Sequence, residues 1–348
     1  MNKFVRLSAE ERRLYFVQTA ERMGFSPQLV EKDFWVCWTL SELFALPEIG
    51  NTLIFKGGTS LSKAYRLIER FSEDVDVSIN RTTLDFNEDS DPEAKVSKKE
   101  RRRRINRLKA SCQRKVADDL QPALIKAIET SFGDAHGWSL TIDEDDLDHQ
   151  TLIYTYPMSL PGMSGTYIRP AVKIEMGARS DHWPSEQVRI ASYVAEHFPA
   201  AFQRPDFIAK VLAAERTFWE KATLLHAEYH RPLDKEIPIR LSRHYYDMSR
   251  LILSGVGERA TGNLELLRRV VEHKKVYFQS GWSHYDEAKR GSMRLVPFPG
   301  RIRVLEDDYD KMQEMFFGDR PAFTEILRVI GEWEHRFNGP AKSNRTNT

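Results

Sequence analysis

The chain has 348 residues, 41% of them apolar, enough for two domains with packed cores and too apolar for global disorder. Its 52 basic and 51 acidic residues leave a net charge of +1, which excludes a uniformly basic nucleic-acid coat but permits local patches. Cys37 and Cys112 are the only cysteines, so a disulfide framework and a cysteine-built zinc site are both unexpected.

The first residues, "MNKFVRLSAEERRLYF", are charged throughout and lack the apolar segment of a secretory signal. No apolar run approaches the roughly 18 residues of a membrane span, so the expected location is the cytoplasm, off the membrane. Residues 8 to 46 read as helices. Ser8 followed by Glu11 is a capping box, and Val30, Phe34, Cys37 and Trp38 share a stripe that Trp35 and Val36 widen, as in a well-buried helix. "NTLIF" reads as a short strand, "GTSLSKAYRLIER" as a helix, and the alternating "DVDVSI" as a strand. An acidic loop, "DFNEDSDPEA", then runs into the basic, helix-compatible "KVSKKERRRRINRLKASCQRK", and a helical pattern resumes after Pro122. "GWSLTIDEDDLDHQ" and "TLIYTYPM" give a strand, an acidic turn and a strand, and "IRPAVKIEMGAR" gives another strand. From Ser185 the pattern reads as mostly helical, most clearly in "ERTFWEKATLLHAEYH" and "RLSRHYYDMSRLILS". The expected division is an α/β domain over 1–185, a helical domain over 186–338 and a polar, disordered tail over 339–348, with the boundary in the Pro-containing region near 180–205.

The chemistry concentrates in "FKGGTSLSKAYRLIERFSEDVDVSI". In a strand, residues two apart share a face, so Asp74 and Asp76 point together while Val75, Val77 and Ile79 point to the core. Two adjacent carboxylates repel unless a cation sits between them, and Mg²⁺ suits one or two carboxylates plus phosphate oxygens. Gly57 and Gly58 let the backbone approach a ligand, and Thr59 or Ser60 can add a hydroxyl. The stretch is not a P-loop, because Ser62 and not glycine precedes Lys63, and no G-x-G-x-x-G exists. "AVKIEMGA" alternates in the same way and offers Glu175 as a third acid from a neighbouring strand. Three such acids can hold a pair of Mg²⁺ ions that activates an attacking hydroxyl and stabilises a leaving pyrophosphate. The bland reading of D-x-D alone is a solvated edge strand; the glycine pair and the later acid favour the metal.

These features resemble the nucleotidyltransferase superfamily and, more closely, the AbiEii/AbiGii family of nucleotidyltransferase-like toxins. The pattern G-[SG]-x-x-L followed by R-x-[TS]-x-D-x-D matches Gly57, Gly58, Leu61, Arg70, Ser72, Asp74 and Asp76. The resemblance extends over residues 25 to 255, with Lys221 in "FWEKATLLH" and with Arg243, His244, Asp247 and Leu251 in the element (K/R)-D-x-x-D-x-x-x-L. His244 departs from that pattern, standing where the family often has Asp. A further family aspartate has a possible place in "LEDDYD".

The resemblance implies an α+β fold with a nucleotidyltransferase-like mixed sheet flanked by helices, a mostly helical C-terminal domain, and an active site in the cleft between the domains. It implies Mg²⁺-dependent transfer (Mn²⁺ being the alternative ion) of a nucleoside monophosphate from an NTP to an RNA acceptor, tRNA above others. Asp74, Asp76 and Glu175 would hold metal. Gly57, Gly58, Thr59, Ser60, Arg70, Ser72, Lys221 and Arg243 would bind substrate, and Asp247 would sit near the site as a base-side or structural acid, counted with Lys221 among the catalytic residues. The biological setting would be a toxin–antitoxin or phage-defence system with a genetically linked antitoxin that need not bind directly. The competing readings are a nucleotidyltransferase for a small molecule or protein, and a nucleotide-binding regulator without turnover.

Outside these motifs, "KKERRRRINRLK" reads equally as an RNA contact or as a solvated face partnering the acidic loop before it; its four consecutive arginines spread around a helix. "HAEYH" lacks the Glu of a zincin and reads as packing histidines. Tyr245 or Tyr246 could stack on a base, with helix packing the plainer role.

Overall fold

A computed structural model describes residues 1–72, 74–87, 89–133, 137–160, 170–317 and 320–340, so most of the tail expected over 339–348 lies outside the described residues. The chain divides into an N-terminal unit, Met1–Ala213, and a C-terminal unit from Ala214 onward.

The N-terminal unit opens with helices α1 (Asn2–Val5), α2 (Ala9–Met23) and α3 (Pro27–Ala45). The Ser8/Glu11 capping box forms with both of its hydrogen bonds, and Gly24 ends α2 in the left-handed conformation. Strand β1 (Leu53–Lys56) leads into α4 (Gly57–Lys63) and β2 (Asp74–Ile79). The helix expected over 58–70 stops at Lys63. Arg66 turns left-handed at φ +54°, and Ile68 and Phe71 turn into the core, so tertiary burial overrides the local helical pattern.

Helix α5 (Lys98–Arg114) continues through a π-helical stretch (Lys115–Leu120) into α6 (Gln121–Phe132), with Pro122 in the first turn of α6. Strands β3 (Ser139–Ile142), β4 (Thr151–Thr155) and β5 (Ala171–Gly177) follow the sequence expectation. Beyond them, β6 (Ser185–Ala191), a short α7 (Tyr193–His197) and β7 (Asp206–Leu212) complete the unit. The two strands fall where the sequence reading placed helices. In β7, Ala209 and Val211 are buried on one side while Ile208 is exposed on the other, a period of two that the neighbouring Pro199 and Pro205 disguise as linker.

Among the described residues, seven strands form one mixed sheet in the order β3-β4-β5-β2-β1-β7-β6. The β2–β5 and β1–β7 pairs are parallel and the others antiparallel. One face of the sheet is apolar: Val75, Val77, Val172 and Ile174 are buried, and Trp35 and Trp38 of α3 pack against Tyr154 of β4. The other face is polar, and it carries the candidate site.

The C-terminal unit is helical: α8 (Ala214–Tyr229), α9 (Ser242–Leu253), α10 (Val256–Thr261), α11 (Leu264–Tyr277), α12 (Ile302–Asp310) and α13 (Phe323–Asn338). Its core gathers Phe218, Trp219, Trp333 and Phe337 in mutual ring contact. Tyr245 and Tyr246 are buried against Phe323 and Phe316, the packing role.

Candidate active site

Strand register sets the polar face. Asp76 of β2 lies opposite Glu175 of β5 on one side and Lys56 of β1 on the other, and Thr151 of β4 lies opposite Glu175. One step along, Asp74 faces Lys173. The alternation that buries Val75, Val77, Val172 and Ile174 therefore brings Asp74, Asp76 and Glu175 to one face of two paired strands, although about a hundred residues separate them in the chain.

Two lysines offset part of the charge of this row. Lys56 Nζ stands 3.8 Å from Asp76, and Lys173 Nζ stands 3.3 Å from Glu175, with all four side chains a quarter to two-fifths exposed. Partial burial, and then the neighbouring carboxylates of Asp76 and Asp74, raise the Glu175 carboxyl above its ordinary range, while Lys173 opposes the shift.

The glycine pair fits against this row. Gly57 has φ +78°, and a Cβ placed there would lie 1.9 Å from Asp76 Oδ2. Only glycine allows this approach of backbone to carboxylate. At Gly58 a Cβ would come within 2.8 Å of an Arg70 guanidinium nitrogen and 3.1 Å of Ser72 Oγ. Arg70 is buried and donates to the Phe71 carbonyl at 3.2 Å, so it lies beneath Gly58 as a strut. The Thr59 hydroxyl donates to the Asp74 carbonyl, and Ser60 Oγ donates to the Gly57 carbonyl at 2.9 Å. Both side chains are buried, so their hydroxyls tie α4 to β2 and to itself.

Sequence reasoning passed over a buried charge pair that anchors α4. Lys63 Nζ lies 2.6 Å from Asp33 of α3 and 3.7 Å from the centroid of the Tyr193 ring. Burial pulls the Lys63 ammonium down, and Asp33, foremost among its neighbours, more than offsets this, so its proton is held above the ordinary lysine range. The Tyr193 N–H donates to the second Asp33 oxygen at 2.7 Å. The signal was present: Asp33 lies among the apolar residues of "VEKDFWVCW", an acid in a helix otherwise built for burial.

In the C-terminal unit, Lys221 of α8 donates to Asp247 Oδ2 of α9 at 2.7 Å, and its Nζ is 3.3 Å from His244 Nδ1. An ammonium can only donate, so Nδ1 accepts and the His244 proton sits on Nε2. Lys221 and Asp247 are both buried. His244 lies one turn before Asp247 on the same side of α9 and takes part in the cluster despite its departure from the family pattern. Arg243 is half-buried in the first turn of α9. In "LEDDYD", Asp308 accepts from the Arg240 and Ser242 N–H groups at 2.7 and 2.9 Å and from Ser242 Oγ at 2.5 Å, which secures the start of α9. His226 is fully buried and bonded to backbone, which fits the packing role.

The donor set on the polar face, hard carboxylate oxygens beside a glycine cradle, suits Mg²⁺ or Mn²⁺. Among the described residues no three His, Cys, Asp or Glu side chains are gathered as a ready cage. Mg²⁺ does not require one, because it commonly takes one or two carboxylates and completes its shell with water and substrate phosphate. No helix among the described residues is long and apolar enough to cross a membrane.

The family described as "Nucleotidyl transferase AbiEii toxin, Type IV TA system" matches residues 38–329. No curated protein sequence matches the chain. Among solved structures, the chain is similar to MenT4, a nucleotidyltransferase toxin of Mycobacterium tuberculosis H37Rv, with 16% identity and a TM-score of 0.44 over 94% of this chain and 99% of that one.

Proposed function

The chain belongs to the AbiEii nucleotidyltransferase toxin family of type IV toxin–antitoxin systems, and from that premise we propose that it transfers a nucleoside monophosphate from an NTP to a hydroxyl of an RNA acceptor, tRNA above others. As a type IV toxin it has an antitoxin partner. The family likeness, and not any contact in this chain, supports tRNA as the acceptor and phage defence as the setting.

The observation that carries the reaction is the register of Asp76 with Glu175, with Gly57 packed against Asp76. In this reading Asp74, Asp76 and Glu175 hold Mg²⁺, which when bound supplies charge neutralisation on the phosphates and a more acidic acceptor hydroxyl. Gly57 and Gly58 admit the triphosphate close to the backbone. Thr59 and Ser60, with hydroxyls turned inward, serve that cradle through their backbone, and Arg70 and Ser72 fix its floor. Glu175 also orients the acceptor hydroxyl and can take its proton. Lys221 is assigned to the triphosphate as a compact positive charge, with Asp247 and His244 holding the ammonium in place and Arg243 as a second phosphate contact.

The test incubates the protein with Mg²⁺, total tRNA and each α-labelled NTP in turn. Label should appear on RNA with the wild type, and Asp76→Asn should reduce it by about 10³-fold or more, the scale of several kcal/mol of lost charge stabilisation. Label on a small molecule or protein would replace the acceptor and keep the chemistry. NTP binding without any pyrophosphate release would replace the enzyme with a nucleotide-binding regulator.

A further inference from the structure

Helix α5 sorts its charges by side. Arg101 donates to the Pro92 carbonyl at 3.3 Å, and Arg104 donates to the Asp91 carbonyl at 3.0 Å and to Glu100 at 3.2 Å. Leu108 and Cys112 are buried on this same side. Two acids of the preceding loop are occupied elsewhere: Asp91 and Glu93 both accept from Arg81, at 3.0 and 2.8 Å. On the opposite side Lys99, Arg102, Arg103 and Arg114 are exposed, with Lys98 exposed at the flank; Arg107 is also exposed, with its guanidinium 6.0 Å from the centre of the Phe86 ring. At 3.6 residues per turn these fall on one half of the helix. Glu100 is the helix's only acid, and its contact with exposed Arg103, at 3.5 Å, is a weak surface pair. The four consecutive arginines, expected to spread around the helix, divide into an inward pair and an outward pair.

Position adds a second observation. The inner side of α5 rests on Asp91 and Pro92, in the segment that follows β2 and its Asp74 and Asp76. Its far end is tied to the segment that precedes β4: Gln113 donates to the Asp148 carbonyl at 2.7 Å, Lys109 pairs with Asp148, and Gln150 donates to the Lys109 carbonyl at 3.2 Å. The next residue, Thr151, lies opposite Glu175. The helix is thus braced by the segments that adjoin the acid-bearing strands, all within the N-terminal unit.

We propose that the outward face of α5 is where the phosphate backbone of the RNA acceptor docks, beside the acid row. This rests on the reading of RNA as acceptor and adds the surface that holds it. A strip of cations with a single acid, Glu100, at its border suits a phosphate chain, whereas a small acceptor has no use for a strip that long. Nothing in it reads bases, so the contact is sequence-independent and dependent on salt.

The experiment measures binding of the full chain to fluorescently labelled tRNA across a salt series, for wild type, for Lys98→Gln/Lys99→Gln/Arg102→Gln/Arg103→Gln, and for a control that removes as much charge from the C-terminal unit (Arg268→Gln/Lys289→Gln/Arg303→Gln/Lys311→Gln). Glutamine keeps helix propensity, and melting curves confirm that each variant folds. The α5 variant should weaken binding about tenfold or more near 0.15 M salt and flatten the salt slope by about 0.7–0.9 for each phosphate that is no longer neutralised. The control should stay near wild type. An α5 variant that binds with unchanged affinity and slope, a control that weakens as much, or a wild type that does not bind RNA would each overturn the proposal. The labelling assay on the same samples separates the two readings. Label on RNA from an unaffected α5 variant keeps the acceptor and removes the docking face. Binding that depends on α5, without label on RNA, supports the face and removes RNA as the acceptor.

Discussion

The acid row of the N-terminal unit and the Lys221–Asp247 cluster of the C-terminal unit treat their carboxylates differently. In the N-terminal unit Asp76 and Glu175 stand opposite each other on a partly hydrated sheet face, with lysines at 3.8 and 3.3 Å that offset part of their charge. In the C-terminal unit Asp247 is fully buried, and its oxygen is 2.7 Å from Lys221. Hydrated like charges, partly offset, suit a site that waits for a cation. A buried carboxylate with a close ammonium is already satisfied, and its first role is to hold the lysine.

Of these two clusters, Lys221–Asp247 should therefore have the larger effect on stability. Asp247→Ala leaves the Lys221 ammonium buried without its main partner, which should cost about 3–5 kcal/mol. Asp76→Ala, on the hydrated face, should leave the melting temperature near wild type or raise it slightly while transfer is lost. Chemical denaturation of the two variants side by side checks this, and equal costs would erase the contrast. The double variant Lys221→Met/Asp247→Leu should recover most of the stability without recovering transfer, because an apolar pair can replace a buried ion pair in packing alone.

An intermediate effect is expected at the glycines. Alanine at Gly57 costs about 1–2 kcal/mol for the left-handed backbone and must also displace Asp76, whose oxygen lies 1.9 Å from the added carbon. Transfer should fall with it. Gly58 has no such backbone constraint, and an added carbon meets the Arg70 guanidinium at 2.8 Å and Ser72 Oγ at 3.1 Å, with no backbone in its way. Gly58→Ala should therefore be milder than Gly57→Ala in both melting temperature and transfer rate. The reverse order would mean that the cradle is set by Arg70 and not by Asp76.

The difference between the units also governs what could be read from the chain. Asp74, Asp76 and Glu175 were legible because a strand has a period of two, and a buried apolar set declares the face of its polar neighbours. The pairing of β5 with β2 could only be assumed from sequence; a contact across about a hundred residues has no local signature. Strands β6 and β7 were missed because prolines between them imitate a linker. The end of α4 was misjudged because burial of Ile68 and Phe71, not helix propensity, decides it. In the C-terminal unit the helices were clear, and family likeness singled out Lys221 and Asp247 but not their pairing. Two charged residues on separate helices look like two solvated faces until packing brings them together.

The smallest expected effect concerns two histidines, one in each unit. His182, bonded to Ser78 Oγ at 3.0 Å, is pushed down to about 4 by burial and then by the nearby cations Lys210, Arg81 and Lys56, against Asp181. His226 is also pushed down to about 4, by burial first, with a smaller contribution from His230 and against its bond to His284. His226 has a structural reason to stay neutral: its Nδ1 accepts the Arg294 N–H at 3.0 Å, so a proton there would face a donor. Each histidine binds fewer protons folded than unfolded between about 4 and its ordinary 6.5. Each therefore contributes stability that is full above pH 6.5 and is lost as pH falls through that window. His182→Asn and His226→Asn should each flatten the fall in melting temperature between pH 7 and about 4.5. Salt should separate them. The cationic part of the His182 shift is screened at about 1 M, where the Debye length is near 3 Å, so high salt should shrink what His182→Asn removes. Burial is not screened, and the His226 contribution should persist. If both respond equally to salt, the cations on the sheet face are too well paired to act on their neighbours, and the partly offset charge proposed for the N-terminal unit fails with them.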